Sequence, residues 1–137
     1  MPKKPEAGAE GRKELVEKAR AARANAYAPY SRYAVGAALR SANGLIYTGA
    51  NVENASYPVG LCAERVALFS AVAAGERKFL SIAVVTADGA APCGACRQAL
   101  AEFGRGIEIE IILADDKGKI HQVVMLKKLL PMAFGDK

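Results

Sequence analysis

Residues Phe79–Thr86 place the strongest restriction on the fold of this chain. Their sequence, FLSIAVVT, is a nearly continuous run of apolar and β-branched residues. Such a run is typical of a strand that is buried on both faces, as in sheets covered by helices on either side. We therefore expect a sheet that lies inside the molecule, with helices packed on both of its faces.

Helix and strand patterns alternate along the rest of the chain. Asn43-Gly44 separates two strand-like segments and predicts a hairpin with a tight primed turn, because that turn needs positive φ. Gly36 and its Ala neighbours leave little side-chain bulk on the first strand, which would let another backbone or a ligand approach closely. The predicted helices are 12–25, 62–74 (closed by Gly75), 93–103 (closed by Gly104) and 126–130; the predicted strands are 33–40, 45–50, 79–86, 107–113 and 120–124. This alternation predicts a three-layer α/β fold, with a sheet of about five strands flanked by helices.

The length and the charge distribution limit the class of protein. The 137 residues suit a single domain, which we expect over 11–137, with a flexible tail over 1–10. Most of the net charge of +5 lies within residues 1–32, which disfavours a nucleic-acid-binding surface spread over the fold. The longest uncharged stretch, 41–52, is too short to span a bilayer, and the first residues do not resemble a secretory signal. An odd number of cysteines without an export signal points to free or metal-bound thiols in the cytoplasm.

All three cysteines stand at the starts of predicted helices. Cys93 and Cys96 lie in the sequence PCGAC, and Cys62 opens the sequence CAE. The partial positive charge of a helix N-terminus favours thiolates, which bind zinc well. The pair Cys93 and Cys96 alone leaves a metal site and a redox dithiol about equally supported. The third cysteine favours an open zinc site with three protein ligands and a free position for water.

Two further groups of residues bear on this predicted site. Three thiolates and Zn²⁺ sum to a negative charge, which weakens the acidification of a bound water. Arg65 and Arg97 each follow a ligand in sequence, and we expect their guanidinium groups to hydrogen-bond thiolate sulfur and withdraw charge. His121, the only histidine, would instead close a structural zinc site as a fourth ligand. It lies in a polar, predicted edge strand, so we expect a surface histidine.

The cysteine motifs and three longer segments resemble the zinc-dependent cytidine deaminases that act on free nucleosides, in their three-cysteine form. The segments are YSRYAVGAAL at 30–39, NVENASY at 51–57 and LLPMAFG at 129–135. The resemblance covers about residues 12–135. It implies the three-layer α/β/α cytidine-deaminase-like fold with a mixed sheet and one Zn²⁺ per chain.

The resemblance also implies a reaction. Free cytidine and deoxycytidine would be deaminated to uridine and deoxyuridine plus ammonia, as in pyrimidine salvage. Zinc-bound hydroxide would attack the ring carbon that bears the amine, with Glu64 as the proton shuttle. The backbone at Ala63 would hold the pyrimidine edge, and Asn51 and Glu53 would bind the sugar 3′-hydroxyl. A buried donor and acceptor pair of this kind rejects a substrate that lacks the hydroxyl, and Glu53 would repel a 3′-phosphate.

The remaining site residues implied by the resemblance are aromatic or polar. Tyr33 replaces the phenylalanine usual at a position that stacks on the base or sugar, and its hydroxyl needs a partner. Asn54, Tyr57 and Phe134 match positions at the substrate pocket, partly contributed by a neighbouring subunit. Relatives with three cysteines are typically homotetramers, so a homotetramer with shared active sites is implied, without nucleic-acid or membrane partners.

Three other functions stay open at this point. A deaminase for another aminopyrimidine nucleoside, of the blasticidin type, would share the zinc motif and Glu64. A structural-zinc interaction module would be closed by His121. A nucleic-acid deaminase would need a basic, aromatic-lined channel, which the sequence does not indicate.

Overall fold

The computed structural model describes residues 8–103 and 108–135 of the chain. Its helices are α1 (Ala9–Arg23), α2 (Ala63–Ala73), α3 (Gly94–Ala101) and α4 (Leu126–Leu129), with a 3₁₀ turn at Tyr57–Val59. Its strands are β1 (Gly36–Ser41), β2 (Ile46–Ala50), β3 (Phe79–Thr86), β4 (Glu110–Asp115) and β5 (Ile120–Met125). They form one mixed sheet in the order β2-β1-β3-β4-β5, in which only β3 and β4 run parallel. The predicted fold class, a mixed five-stranded sheet flanked by helices, is confirmed.

Strand β3 is buried on both faces, as its composition predicts. Ile82 and Val84 belong to an apolar cluster with α2 and α3, whereas Ala83 and Val85 belong to a second cluster with α1. The alternation of side chains along a strand produces this division. Among the described residues, the sheet therefore separates α1 on one face from α2, α3 and α4 on the other.

Two glycines let helices approach the sheet closely. A Cβ atom at Gly36 would lie 2.1 Å from the carbonyl oxygen of Ala19 in α1. A Cβ atom at Gly49 of β2 would lie 2.5 Å from the backbone nitrogen of Ala67 in α2. The expectation that another backbone approaches Gly36 is confirmed, and Gly49 fixes the distance between β2 and α2 in the same way.

The β1–β2 hairpin forms, but its turn differs from the predicted one. Gly44 has a φ of +93°, whereas Asn43 is not among the described residues with positive φ. The Gly44 amide donates to the Ser41 carbonyl at 2.9 Å, and the Ser41 amide donates to the Leu45 carbonyl at 2.9 Å. This pattern is a three-residue loop closed by one left-handed glycine. The Asn43 side chain accepts a hydrogen bond from the Leu45 amide, and this bond favours the longer loop.

Several element boundaries differ from the prediction for identifiable reasons. Helix α1 begins at Ala9 rather than 12, and residues 1–7 of the predicted flexible tail lie outside the described part. Strand β1 begins at Gly36 rather than 33, because the Asn51 side chain occupies the hydrogen-bonding groups of 33–35. Gly75 ends α2 with a φ of +102°, as predicted, and the Glu76 amide donates back to Ala71.

The predicted closing residue Gly104 and the first predicted residue of β4, Ile107, lie outside the described residues. Within those residues, no helix combines the length and the apolar character needed to cross a bilayer.

Candidate active site and metal centre

The three cysteines meet where two helices begin. Cys62 is the N-cap of α2, Cys93 is the N-cap of α3, and Cys96 lies in the first turn of α3. Their sulfur atoms all lie within 4.8 Å of one another. The Cys62 and Cys93 sulfurs are 3.8 Å apart, and those of Cys93 and Cys96 are 3.4 Å apart. The three predicted ligands therefore come together on one side of the sheet.

This cluster has the dimensions of a zinc site. Tetrahedral thiolates at about 2.3 Å from zinc lie roughly 3.8 Å from each other, close to the sulfur separations found. Among the described residues, this group of three is the cluster of metal-binding side chains, and it contains no histidine. His121 lies on edge strand β5 and contacts Asp115 at 2.8 Å instead. The arrangement fits an open three-thiol site and not a closed four-ligand one.

The local charges favour thiolate at Cys62. The Cys96 thiol, followed by the Arg65 guanidinium, lowers the pKa of Cys62 to about 5. The Nη2 atom of Arg65 lies 3.6 Å from the Cys62 sulfur, so the predicted contact is formed. Cys96 acts as the donor to that thiolate and its pKa is raised, by this hydrogen bond and by burial. One thiolate is thus stabilised by the protein itself, and a divalent cation would stabilise the others.

Glu64 lies beside this cluster in the first turn of α2. Its side chain is buried, with only 4% of the residue exposed. Burial raises its pKa, and the neighbouring Cys62 charge adds to the increase. A carboxyl group whose pKa is raised toward neutrality can both accept and release a proton. Glu64 therefore has the environment of a proton carrier.

A cleft in two adjoining parts opens beside the cysteines and Glu64. The inner cavity, of about 270 Å³, is lined by Tyr33, Ala63, Glu64 and Cys93 among others. The outer cavity, of about 430 Å³, includes Tyr57 in its wall. The walls of both contain Ser31, Asn51, Glu53 and Cys62. Its size is suitable for a small organic ligand with one end at the cysteines.

Asn51 and Glu53 lie in the wall between the two cavities and also organise it. The Asn51 side chain accepts from the Val35 amide at 2.9 Å and donates to the Tyr33 carbonyl at 2.8 Å. Glu53 accepts from the Tyr30 and Ser31 amides and from the Ser31 hydroxyl. These bonds, led by the Ser31 hydroxyl, lower the pKa of Glu53. Asn51 keeps one N–H for a ligand, and Glu53 stays anionic.

Comparison with known proteins identifies this combination of residues. Residues 9–110 match the family model of the cytidine and deoxycytidylate deaminase zinc-binding region. The chain belongs to this deaminase family. A cytidine deaminase of Sporosarcina psychrophila is 47% identical over 122 residues, 88% of each chain. One of Halalkalibacterium halodurans is 46% identical over 125 residues, covering 90% of this chain and 93% of the relative.

Solved structures give the same result for this deaminase. It superimposes on the crystal structure of cytidine deaminase from Burkholderia pseudomallei with a TM-score of 0.82 at 50% identity. The match covers 88% of this chain and 97% of that one. Together these matches confirm the resemblance read from the sequence, the zinc-dependent deaminase class and the expectation of one metal ion at the three cysteines. The blasticidin-type, structural-module and nucleic-acid alternatives are not favoured.

The other predicted site residues of the deaminase differ in their burial and in their contacts. Ala63 is fully buried at the first position of α2, where backbone N–H groups have no partner within the helix. Tyr57 packs edge-on against Tyr30, with ring centroids 5.9 Å apart, and the Asn54 side chain accepts a hydrogen bond from the Ser56 amide at 2.9 Å. Phe134 is 88% exposed and lines neither part of the cleft.

Arg97 does not make the contact predicted for it. Its Nε donates to the Pro92 carbonyl and its Nη1 to the Leu129 carbonyl, each at 2.8 Å. Within the described residues no hydrogen bond joins it to a cysteine sulfur. Both partners are backbone carbonyls, so Arg97 holds the loop before Cys93 against the end of α4. Arg97 therefore positions Cys93 indirectly, through the backbone of this loop.

Sequence reasoning missed the polar residues that connect the cleft loops. Ser31 joins Glu53 to the loop before β1, and Asp88 accepts a hydrogen bond from the Tyr33 hydroxyl. The signal for Asp88 was present: it follows the carboxyl end of β3, the strand paired in parallel with β4, where ligands collect in α/β sheets. Its partner is 55 residues away in sequence, and no periodicity reveals such a pairing.

Proposed function

We propose that this chain catalyses the hydrolytic deamination of free cytidine and deoxycytidine to uridine and deoxyuridine plus ammonia. The observation that supports it best is the buried Glu64 on the wall of the cavity that also holds Cys62 and Cys93. Family membership supports the same reaction class. A proton carrier and a metal site then serve one enclosed space.

The three cysteines and Glu64 each have a task in this reaction. Cys62, Cys93 and Cys96 would hold zinc, which when bound supplies Lewis-acid chemistry that makes water a nucleophile near neutral pH. Glu64 accepts a proton from the attacking water and gives it to the adjacent ring nitrogen. It then transfers the second proton to the departing amine, so that water and cytidine become uridine and ammonia.

Arg65 and the first turn of α2 assist this chemistry. The contact of Arg65 with the Cys62 sulfur withdraws negative charge from a site with three thiolates. Ala63 lines the inner cavity at the start of α2, and its N–H, which has no partner within the helix, would donate to an acceptor on the pyrimidine edge. Ala63 and Glu64 of this turn are buried, whereas Cys62 and Arg65 are half-buried.

Asn51 and Glu53 support a free nucleoside as the substrate. The remaining N–H of Asn51 and the anionic Glu53 offer one donor and one acceptor to a sugar hydroxyl. A phosphate at that hydroxyl would meet the Glu53 charge. Arg65 is the one cationic side chain in the described wall of the outer cavity, and it is already directed at Cys62. Both features disfavour nucleotides and nucleic acids as substrates.

We also propose a homotetramer with shared active sites and a cytoplasmic location. Large apolar side chains are exposed near the cleft mouth, including Tyr57 at 74% and Val59 at 65%. Exposed apolar groups of this size favour burial against another protein surface. The three thiols support a reducing compartment, because Cys93 and Cys96 are close enough to react in an oxidising one.

A parallel assay tests the proposed reaction. Cytidine, deoxycytidine, free cytosine and a short single-stranded oligonucleotide are offered to protein of known zinc content, and absorbance is followed. We expect rapid conversion of both nucleosides at one zinc per chain and little action on the other two. Bound zinc with no activity on either nucleoside would refute the proposed substrate, and equal activity on the oligonucleotide would refute its restriction to free nucleosides.

A further inference from the structure

The hydroxyl of Tyr33 has a specific partner across the cleft. It donates to Oδ1 of Asp88 at 2.6 Å, a short hydrogen bond to a carboxylate. Tyr33 precedes β1, whereas Asp88 follows β3, so the bond joins two loops at the same end of the sheet. The Tyr33 ring lines the inner cavity together with Glu64 and Cys93.

Both ends of this hydrogen bond are held by further contacts. The Tyr33 amide donates to the Ser31 hydroxyl at 3.0 Å, and its carbonyl accepts from Asn51 at 2.8 Å. On the other side, the Thr86 hydroxyl donates to Asp88 at 3.2 Å and accepts from the Gly89 amide at 2.8 Å. The bond between Tyr33 and Asp88 lies at the exposed edge of the cleft, and each of the two loops that it joins is anchored by further hydrogen bonds.

The loop that carries Asp88 leads directly to the metal ligands. It occupies the residues between the end of β3 at Thr86 and the N-cap Cys93 of α3. Gly89 has a φ of +77° and lies against the His121 ring, since a Cβ there would be 2.8 Å from the His121 Cγ. The loop is therefore supported from outside by β5 and connected to the cleft by Tyr33.

We propose that Tyr33 and Asp88 form a latch that fixes the aromatic wall of the nucleoside cavity, and that Asp88 is a positioning residue for the reaction. This inference rests on the proposed function, because the wall is assigned to a nucleoside. A phenylalanine ring would line the cavity without being fixed at its tip. The latch acts on substrate binding, since Asp88 does not line either cavity and reaches the ligand only through Tyr33.

The first test measures steady-state kinetics of cytidine for Tyr33→Phe, Asp88→Ala and the double variant. Loss of one hydrogen bond to a charged group should raise KM about three- to tenfold, with kcat within about twofold. Asp88→Ala also removes the Thr86 contact, so the double variant should be no worse than Asp88→Ala, which already lacks the bond that Tyr33→Phe removes. Asp88→Asn keeps an oxygen acceptor for the hydroxyl and should restore most of the loss.

The chain offers a matched control for these variants. The Tyr47 hydroxyl donates to Oε2 of Glu76 at 2.8 Å, which is another tyrosine–carboxylate bond, and neither residue lines the cleft. Tyr47→Phe and Glu76→Ala should leave KM unchanged. A general effect of losing one such bond on the stability of the fold would appear in both pairs.

A second readout does not depend on catalysis. Burial and the Asp88 hydrogen bond raise the pKa of the Tyr33 hydroxyl. Ultraviolet titration of the tyrosines should therefore show one step at lower pH in Asp88→Ala, and that step should be absent in Tyr33→Phe. An unchanged titration in Asp88→Ala would refute the latch.

The two hypotheses fail in different ways. Wild-type protein that does not deaminate cytidine overturns the proposed function, and the titration then decides on the latch alone. Active wild-type protein whose Tyr33 and Asp88 variants keep a normal KM overturns the latch. Multiplying effects in the double variant would do the same, because they would show two independent contributions.

Discussion

Replacing Gly49 by alanine should disturb the active site by displacing α2. The added Cβ would lie 2.5 Å from the Ala67 nitrogen and 2.6 Å from the Ala63 carbonyl oxygen. Both are backbone atoms of α2, so no side-chain rotation relieves the contact. To restore ordinary contact distances, the helix would have to move by about 1 Å.

The displaced helix α2 carries residues of the active site. Its first turn holds Glu64, and its N-cap is Cys62. Overpacking of this kind costs about 1–3 kcal/mol in the free energy of unfolding, which lowers Tm by roughly 3–10 °C. A displacement of about 1 Å at catalytic groups can reduce turnover by about a hundredfold. We therefore expect Gly49→Ala to lose about a hundredfold in turnover, while its Tm falls by only roughly 3–10 °C.

The assay compares zinc per chain, kcat with cytidine and Tm for Gly49→Ala and Gly94→Ala. Gly94 lies between two of the cysteines in sequence, yet a Cβ there meets no atom within 4 Å. Gly94→Ala should keep its zinc, activity and Tm. A Gly49→Ala protein with normal zinc content and kcat within about twofold would refute the argument that Gly49 sets the position of the active-site turn.

Three further predictions concern single side chains. Glu64→Ala should keep its zinc while turnover falls at least about a hundredfold, the usual contribution of a general acid–base group, and near-normal turnover would contradict the mechanism. The His121 hydrogen bond, aided by backbone amides, lowers the pKa of Asp115 to about 2. The ionised Asp115 carboxylate therefore stabilises the fold fully above about pH 4, and this stabilisation disappears as the pH falls toward 2. The urea midpoint of Asp115→Asn should therefore change less with acid than that of the wild type. Cytidine lacking the 3′-hydroxyl should react at least about tenfold more slowly in kcat/KM, and this penalty should shrink in Glu53→Ala, which has no acceptor there; equal penalties in both proteins would exclude Glu53 as the hydroxyl's acceptor.

The layered fold and the cysteine cluster were predictable because local patterns encode them. The burial of Phe79–Thr86 on both faces follows from its composition, and the structure gives this strand the predicted boundaries. The cysteines were recognisable because chemistry restricts both their identity and their place at helix starts, and Glu64 was recognisable through the resemblance of its motif to the family. The strand prediction needed only neighbouring residues, and the cluster prediction needed only the shared position of the cysteines at helix starts.

The contacts that shape the cleft were not predictable in this way. Asn51 takes the hydrogen bonds of 33–35 and thereby shortens β1, although those residues have the composition of a strand. Arg97 directly follows Cys96 and Arg65 lies three residues after Cys62, so both were expected at sulfur, yet Arg97 binds backbone carbonyls. Both outcomes depend on which loop lies opposite, and that is decided by the assembled fold.

Cysteine occupies the N-cap position of both active-site helices, and this has a consequence for zinc loss. No side chain caps the first amides of α2 or α3 by a hydrogen bond, where serine, threonine or aspartate would ordinarily do so. A bound metal ion fixes the two N-cap residues against each other and so takes over the anchoring of these helix starts. Chelation would therefore remove the zinc and also loosen the backbone at both helix starts. Amide hydrogen exchange should then speed up more in the first turns of α2 and α3 than in β3. In this protein, the order of the two helix N-termini therefore depends on bound zinc.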